Sequence, residues 1–280
     1  MTMRVGWGRL TRRSHLLVSL CVLVAAACDP SSQSTPGSKS ERLAIVSFDD
    51  ALDDKSSPTA DAETFWKIFS RGQESFRQKD YASAFKDWRS LAVLGSQLKD
   101  ISTVARGAKA YFVLMSQILV GWCYDHGYGV GQDKSKALSF YKKPAKFGIP
   151  FLQYEVAIRY DDGVGVQRDR AEAARWYRRA GEAGVVDAQF LLGNRYSKGD
   201  GVEKDVREAV KWYRLAAESG HSHSQAQMAF AYLLAEGVER NCEKARHWAK
   251  RAQESAKSAV EKVGARVTLD MIQAAESLCR

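Results

Sequence analysis

The chain has 280 residues, 45% hydrophobic and 27% charged, with a formal net charge of +9. This is the balance of a folded globular protein and excludes a chain disordered from end to end. Four cations (Arg4, Arg9, Arg12, Arg13) and no acidic residue fall in residues 1–27, so the remainder carries +5, a modest charge that does not by itself point to nucleic acid.

Reading begins with those arginines, which precede an apolar run from Leu16 to Ala27. A bilayer-spanning helix needs about 20 apolar residues, and this run is shorter. A basic start, a short apolar middle and a small-residue exit predict a secretory signal peptide over 1–27. The exit, Val24-Ala25-Ala26-Ala27-Cys28, resembles the bacterial lipobox, although Ala25 stands where leucine is commonest. The resemblance implies diacylglyceryl transfer to Cys28, cleavage before it and a periplasm-facing lipoprotein. Asp29 resembles the inner-membrane retention signal of enteric bacteria, but that rule differs between bacterial groups and leaves the choice of membrane open. Residues 28–60, rich in Ser, Pro, Asp and Lys, are expected to form a flexible tether.

The folded part is governed by a period. Tyr124, Tyr160, Tyr196 and Tyr232 are each 36 residues apart, and so are Gln117, Gln153, Gln189 and Gln225. Ala137, Ala173, Ala209 and Ala245 form a third column, and Phe140, Trp176, Trp212 and Trp248 a fourth. Periodicity of this length signals a stack of supersecondary units. In each unit a first helix, such as 151–162, is expected to stop at a Gly-x-Gly turn. The fourth copy has Ala235 for the first of those glycines, so a different turn is expected there. A second helix is expected to start after Asp133, Asp169, Asp205 or Asn241, whose side chains can accept the free amides of a first turn. Glu172 and Glu208 stand at capping-box spacing from Asp169 and Asp205. Pro144, where other copies have alanine, is expected to kink or shorten its helix.

The pattern Tyr-x-x-Gly-x-Gly-Val-x-x-Asp-x-x-x-Ala-x-x-Trp-Tyr-x-x-Ala-x-x-x-Gly, best matched from Tyr196 to Gly220, resembles the Sel1-like repeat, a relative of the tetratricopeptide repeat. The resemblance implies an all-α fold, an α-solenoid wound as a right-handed superhelix of helix pairs. Four repeats are assigned to 101–256. A degenerate pair is assigned to 61–100, where Ala84 precedes Ala137 by 17 residues more than one period. A capping helix is expected in 257–280.

Catalytic signals are weak. Ser96 and Lys99 have Ser-x-x-Lys spacing without the accompanying elements. His221 and His223 lack a third ligand nearby. Gly127-x-Gly129-x-Gly131 joins helix to helix rather than strand to helix. No enzyme activity, cofactor or metal is expected. Cys242 and Cys279 are candidates for a disulfide in an oxidising compartment. In tetratricopeptide-like stacks the first helices line the concave face, which makes Trp122, His126, Glu155, Arg159, Leu191 and Arg195 the candidate partner-binding residues. Lys142, Arg178, Arg214 and Lys250 form a basic column on the second helices. The expected function is a membrane-anchored periplasmic scaffold or adaptor with a protein partner in an envelope complex. The alternative is direct binding of an anionic polysaccharide through the basic column.

Overall fold

The computed structural model describes residues 59–97, 108–256 and 258–274. The chain divides into two units. Of the smaller, residues 1–62 and 100–111, only short helix ends are described. Cys28 lies outside the described residues, as do Ser96's side chain and Lys99.

The larger unit, residues 63–99 and 112–280, is a stack of antiparallel helix pairs. Helices α1 (Thr59–Arg77) and α2 (Tyr81–Gln97) make the first pair. Four pairs follow: α3 (Ala108–His126) with α4 (Lys134–Lys146), α5 (Pro150–Asp162) with α6 (Arg170–Glu182), α7 (Val186–Lys198) with α8 (Val206–Glu218), and α9 (Ser222–Leu234) with α10 (Cys242–Ser255). Helix α11 (Ala259–Ala274) comes last. From α4 onward each helix packs on the next, and α11 reaches both α10 and α9. This is an α-solenoid with a terminal helix over its open end, and all described elements are helical.

Each column of the sequence has a mechanical task. Asp133, Asp169, Asp205 and Asn241 each accept the backbone amide three residues on, satisfying an orphan donor of a first turn. Asp80 does the same through Ser83, at 3.1 Å. The backbone amides of the four later caps are held by the carbonyls of the tyrosine column; Asp169 reaches Tyr160 at 2.9 Å. That bond replaces the expected capping box. Glu172 instead accepts the Trp176 indole N–H at 2.8 Å and binds Arg175. The glutamine column ties successive repeats: Gln153, Gln189 and Gln225 donate Nε2 to the carbonyls of Ala145, Gly181 and Ala217, each in the last turn of the preceding second helix. Each of these carbonyls also accepts the amide of the turn glycine, Gly148, Gly184 or Gly220, and the second bond from the glutamine contributes about 1 kcal/mol.

Two expectations are corrected. Pro144 does not shorten its helix. α4 has 13 residues, as α6 and α8 have, and Pro144 is buried in the place of the alanine column. Ala235 does not change its turn either: it adopts φ 58 and ψ 35, the left-handed cap that Gly163 and Gly199 make without a Cβ. The strain of an L-residue there is tolerated because the surrounding turn repeats the same hydrogen bond, from Ala235 N–H to Ala231 O.

The second glycine of each turn sets the distance between repeats. A Cβ on Gly165 would lie 2.3 Å from the carbonyl oxygen of Lys134, and one on Gly201 2.3 Å from that of Arg170. Gly129 stands over Tyr81 in the same way, at 2.0 Å. Tyr81 and Lys134 are therefore equivalent, and α1–α2 stacks as a true repeat. The 17 extra residues are absorbed between α2 and the body of α3. The α1–α2 turn is shorter than the others, three residues from Gln78 to Asp80, with Lys79 at φ 64.

Candidate interaction surface

The six residues expected to face a partner divide into two groups. Arg159 and Arg195 are turned inward, 4% and 6% exposed. Arg159 Nη2 lies 2.8 Å from Asp125 Oδ2 and 3.0 Å from Glu155 Oε1. Its guanidinium sits over the Tyr141 ring, 5.0 Å from the centroid. Arg195 repeats the arrangement with Asp161 at 2.5 Å and the Tyr177 ring at 5.2 Å. Each is an inter-repeat rung: carboxylate on one first helix, arginine on the next, tyrosine from the second helix between them. Burial raises the Asp125 carboxyl's pKa, but Arg159 and Lys134 more than reverse this and hold it below the usual carboxylate value. Burial likewise raises the Tyr177 phenol's pKa well above its ordinary value. These arginines are internal braces, and Glu155 serves one of them. They are expected on the concave face because first helices line it in tetratricopeptide-like stacks; the partner aspartates, 34 residues upstream, turn them inward.

Trp122 and His126 belong to a different arrangement. Phe76 at the end of α1, Tyr81 at the start of α2, Trp122 and His126 on α3 and Tyr128 in the following turn form one aromatic patch. Trp122 and Tyr128 stack at 4.7 Å and 22°, and Phe76 lies 5.4 Å from Trp122. Tyr81 and Tyr128 rings are 4.8 Å apart, and His126 stacks on Tyr128 at 5.9 Å. His126 is exposed, and the four others are partly exposed. The backbone of α3 orients His126 through a 3.0 Å contact between Nδ1 and Trp122 O. The sequence did not reveal Phe76, Tyr81 and Tyr128 as part of this patch. Two lie in the degenerate pair and the third at a variable turn position, and only the stacking of α1–α2 brings them together.

Leu191 is partly exposed on α7, beside Phe190. Phe190 contacts His221, at 4.6 Å, and His223, at 5.9 Å. His221 caps α9 by accepting the Ser224 amide at Nδ1, 3.2 Å. Its pKa is lowered by burial despite Asp187. The described residues contain no group of three or more His, Cys, Asp or Glu arranged for a metal.

The basic column is only partly available. Lys142 donates to the Tyr160 hydroxyl at 2.8 Å, and Arg178 donates to the Tyr196 hydroxyl. Each spends one donor on the tyrosine of the next repeat, which fixes the direction of the side chain; Arg178 is still exposed and Lys142 partly exposed. Arg214 and Lys250 are exposed. A groove of about 560 Å³ near the start of α8 sets Glu203 and Asp205 beside Lys204 and Arg207, so it favours neither sign of charge.

Cys242 is disulfide-bonded, and Cys123 is buried. Cys279, the expected partner of Cys242, lies outside the described residues. No described helix is long and apolar enough to cross a membrane.

The Sel1 repeat family matches at residues 114–146, 150–185, 186–221 and 222–254. The chain is similar to a protective antigen of uropathogenic Escherichia coli strains displaying an SLR fold, with 30% identity and a TM-score of 0.54. That match covers 70% of this chain and 40% of the antigen, so the chain spans about two fifths of the antigen's length. A Sel1 repeat protein from Oxalobacter formigenes is 26% identical with a TM-score of 0.50, over 70% of this chain and 88% of that one. No curated protein matches the chain.

Proposed function

Because this chain carries four Sel1 repeats, a module that generally mediates protein–protein interaction, we propose that it is an adaptor of the bacterial envelope. It is tethered by lipid on Cys28 and holds a protein partner on the aromatic patch at its first stacking seam. The observation that carries the reading is the patch itself. Phe76, Tyr81, Trp122 and Tyr128 are in mutual ring contact yet only partly covered. Tryptophan and tyrosine dominate the binding energy of protein interfaces, because large rigid rings bury much area at small entropic cost. The disulfide at Cys242 supports export, since such bonds persist in oxidising compartments. The signal-peptide pattern of residues 1–28 supports it independently. The second reading is a polysaccharide held by directed bonds from four basic rungs, of which Lys142 and Arg178 each already spend one donor on a tyrosine hydroxyl.

The test is in-cell photo-crosslinking with the reactive group at position 81, beside a control at the exposed position 182. One protein captured from the patch, absent from the control and reduced at least about tenfold by His126→Ala with Tyr128→Ala, supports the adaptor. The same yield in the double variant removes the patch as the docking site. A Cys28→Ala form tests the tether separately: unchanged membrane fractionation removes the lipid anchor and leaves the patch reading intact.

A further inference from the structure

The second helices carry a concentration of charge that their contacts do not use up. Three outward positions recur in each, those of Arg175, Arg178 and Arg179 on α6. Across α4, α6, α8 and α10 these twelve positions hold nine Lys or Arg and no Asp or Glu. Ten of the twelve are exposed. The glycine contacts that hold the repeats in register, Gly165 on Lys134 and Gly201 on Arg170, keep equivalent positions aligned from one second helix to the next. The result is a cationic strip on a chain whose net charge beyond residue 27 is only +5.

Within the strip, the side chains of Lys143, Arg214 and Lys250 are exposed and make no hydrogen bond or ion pair with a described residue. Two large apolar side chains lie among the cations: Leu215, 45% exposed, and Phe147, 43% exposed and one helical turn beyond Lys143. Both features bear on what the strip meets. A polymer recognised residue by residue requires donors free to point at it, and several cations here are held by Tyr160, Tyr196 and the carboxylates of Glu172 and Glu208. A fluid anionic surface asks only for summed charge, which the tyrosine contacts leave in place and which Glu172 and Glu208 reduce from nine cations to a net seven. Exposed leucine and phenylalanine among cations add the apolar contact that a headgroup region accepts and a soluble polyanion does not.

We propose that this strip docks on an anionic phospholipid bilayer and lays the solenoid's second helices against the membrane. The proposal goes beyond the adaptor reading and is independent of it, because the aromatic patch is built from α1, α2, α3 and the turn at Tyr128. It is also independent of acylation, since the charge is carried by the folded repeats.

The experiment is vesicle co-sedimentation of the full chain with Cys28→Ala, so that no acyl group contributes. Vesicles are phosphatidylcholine alone or phosphatidylcholine with about one third phosphatidylglycerol. Stronger binding to the anionic vesicles is expected, falling as salt rises to about 0.5 M and screens the surface charge. Lys143→Glu with Arg214→Glu and Lys250→Glu is expected to lower partition at least about tenfold. These are exposed side chains without partners, and an unchanged thermal melt verifies that the fold is intact. Leu215→Ser, which leaves the charge alone, is expected to lower partition by a smaller factor. All variants keep the same N-terminal region, so differences between them report the strip. Equal binding to both vesicle types overturns the proposal, and so does full retention by the triple variant. Capture of long-chain polyphosphate without capture by anionic vesicles overturns it in favour of a soluble polyanion.

Discussion

Arg159 and Asp125 meet at 2.8 Å across the seam between two repeats, with Glu155 and the Tyr141 ring closing around the guanidinium. Arg195 and Asp161 repeat the bond one unit later, and the series then stops, because the next equivalents are Ser197 and Ala231. The rungs brace the middle of the stack. Removing Asp125 leaves Arg159 with Glu155 alone, so Asp125→Ala is expected to cost about 2–3 kcal/mol, less than the loss that follows when a buried charge is left with no partner. Asp125's carboxyl is held below its ordinary value of 3.8, so its stabilisation is fully present above that value and is lost as pH falls through the lower folded value. Urea melts between pH 7 and pH 3 should show Asp125→Asn with a lower stability at pH 7 and a shallower decline below about pH 4. Parallel curves for the two proteins would show that the rung does not titrate with folding.

The turn glycines make a second prediction, resting on a contrast. Gly165 has φ +72 and no room for a Cβ, whereas Gly184 has φ +89 and nothing within 4 Å. Gly184→Ala meets only the backbone cost of the left-handed region, about 1–2 kcal/mol. Gly165→Ala adds a clash with the Lys134 backbone and should cost more, because the repeats must separate. Chemical denaturation of the two variants side by side gives the order, and equal losses would mean that spacing between repeats is not set at this contact.

Ala235 supplies the opposite case. It holds φ 58 with a Cβ where its equivalents are glycine. Ala235→Gly relieves that strain at some entropic cost in the unfolded chain and should raise stability by about 0.5–1 kcal/mol. A lower melting temperature in the glycine variant would show that the methyl group packs usefully.

The cysteines differ in chemistry as well as in position. In the native protein without reductant, alkylation followed by mass spectrometry should leave Cys242 unmodified because it is bonded, and Cys123 unmodified because it is buried. Reductant should expose Cys242 alone of these two. If Cys279 is the partner, Cys242→Ser opens a loop of about 36 residues and costs about 3–4 kcal/mol. Recovery of a peptide joining Cys242 to a different cysteine would refute that pairing.

The sequence by itself determined the repeat and most of its local structure. A 36-residue period is legible in one dimension because each unit reuses the same caps, turns and small-residue contacts. Asp133, Asp169, Asp205 and Asn241 cap helices through bonds only three residues long, which spacing alone can reveal. What only the tertiary structure decided depends on contacts between units. Arg159 reads as a surface cation until Asp125 is found beside it, and Glu172 reads as a capping-box acid until Trp176 takes its oxygen. Lys142 reads as a free rung until the tyrosine of the next repeat claims it. The patch of Phe76, Tyr81, Trp122 and Tyr128 exists only because α1–α2 stacks in register across an insertion that breaks the period. A side chain's neighbours in a solenoid come from the adjacent turn of the stack, and a sequence pattern records that a position recurs without recording what it touches.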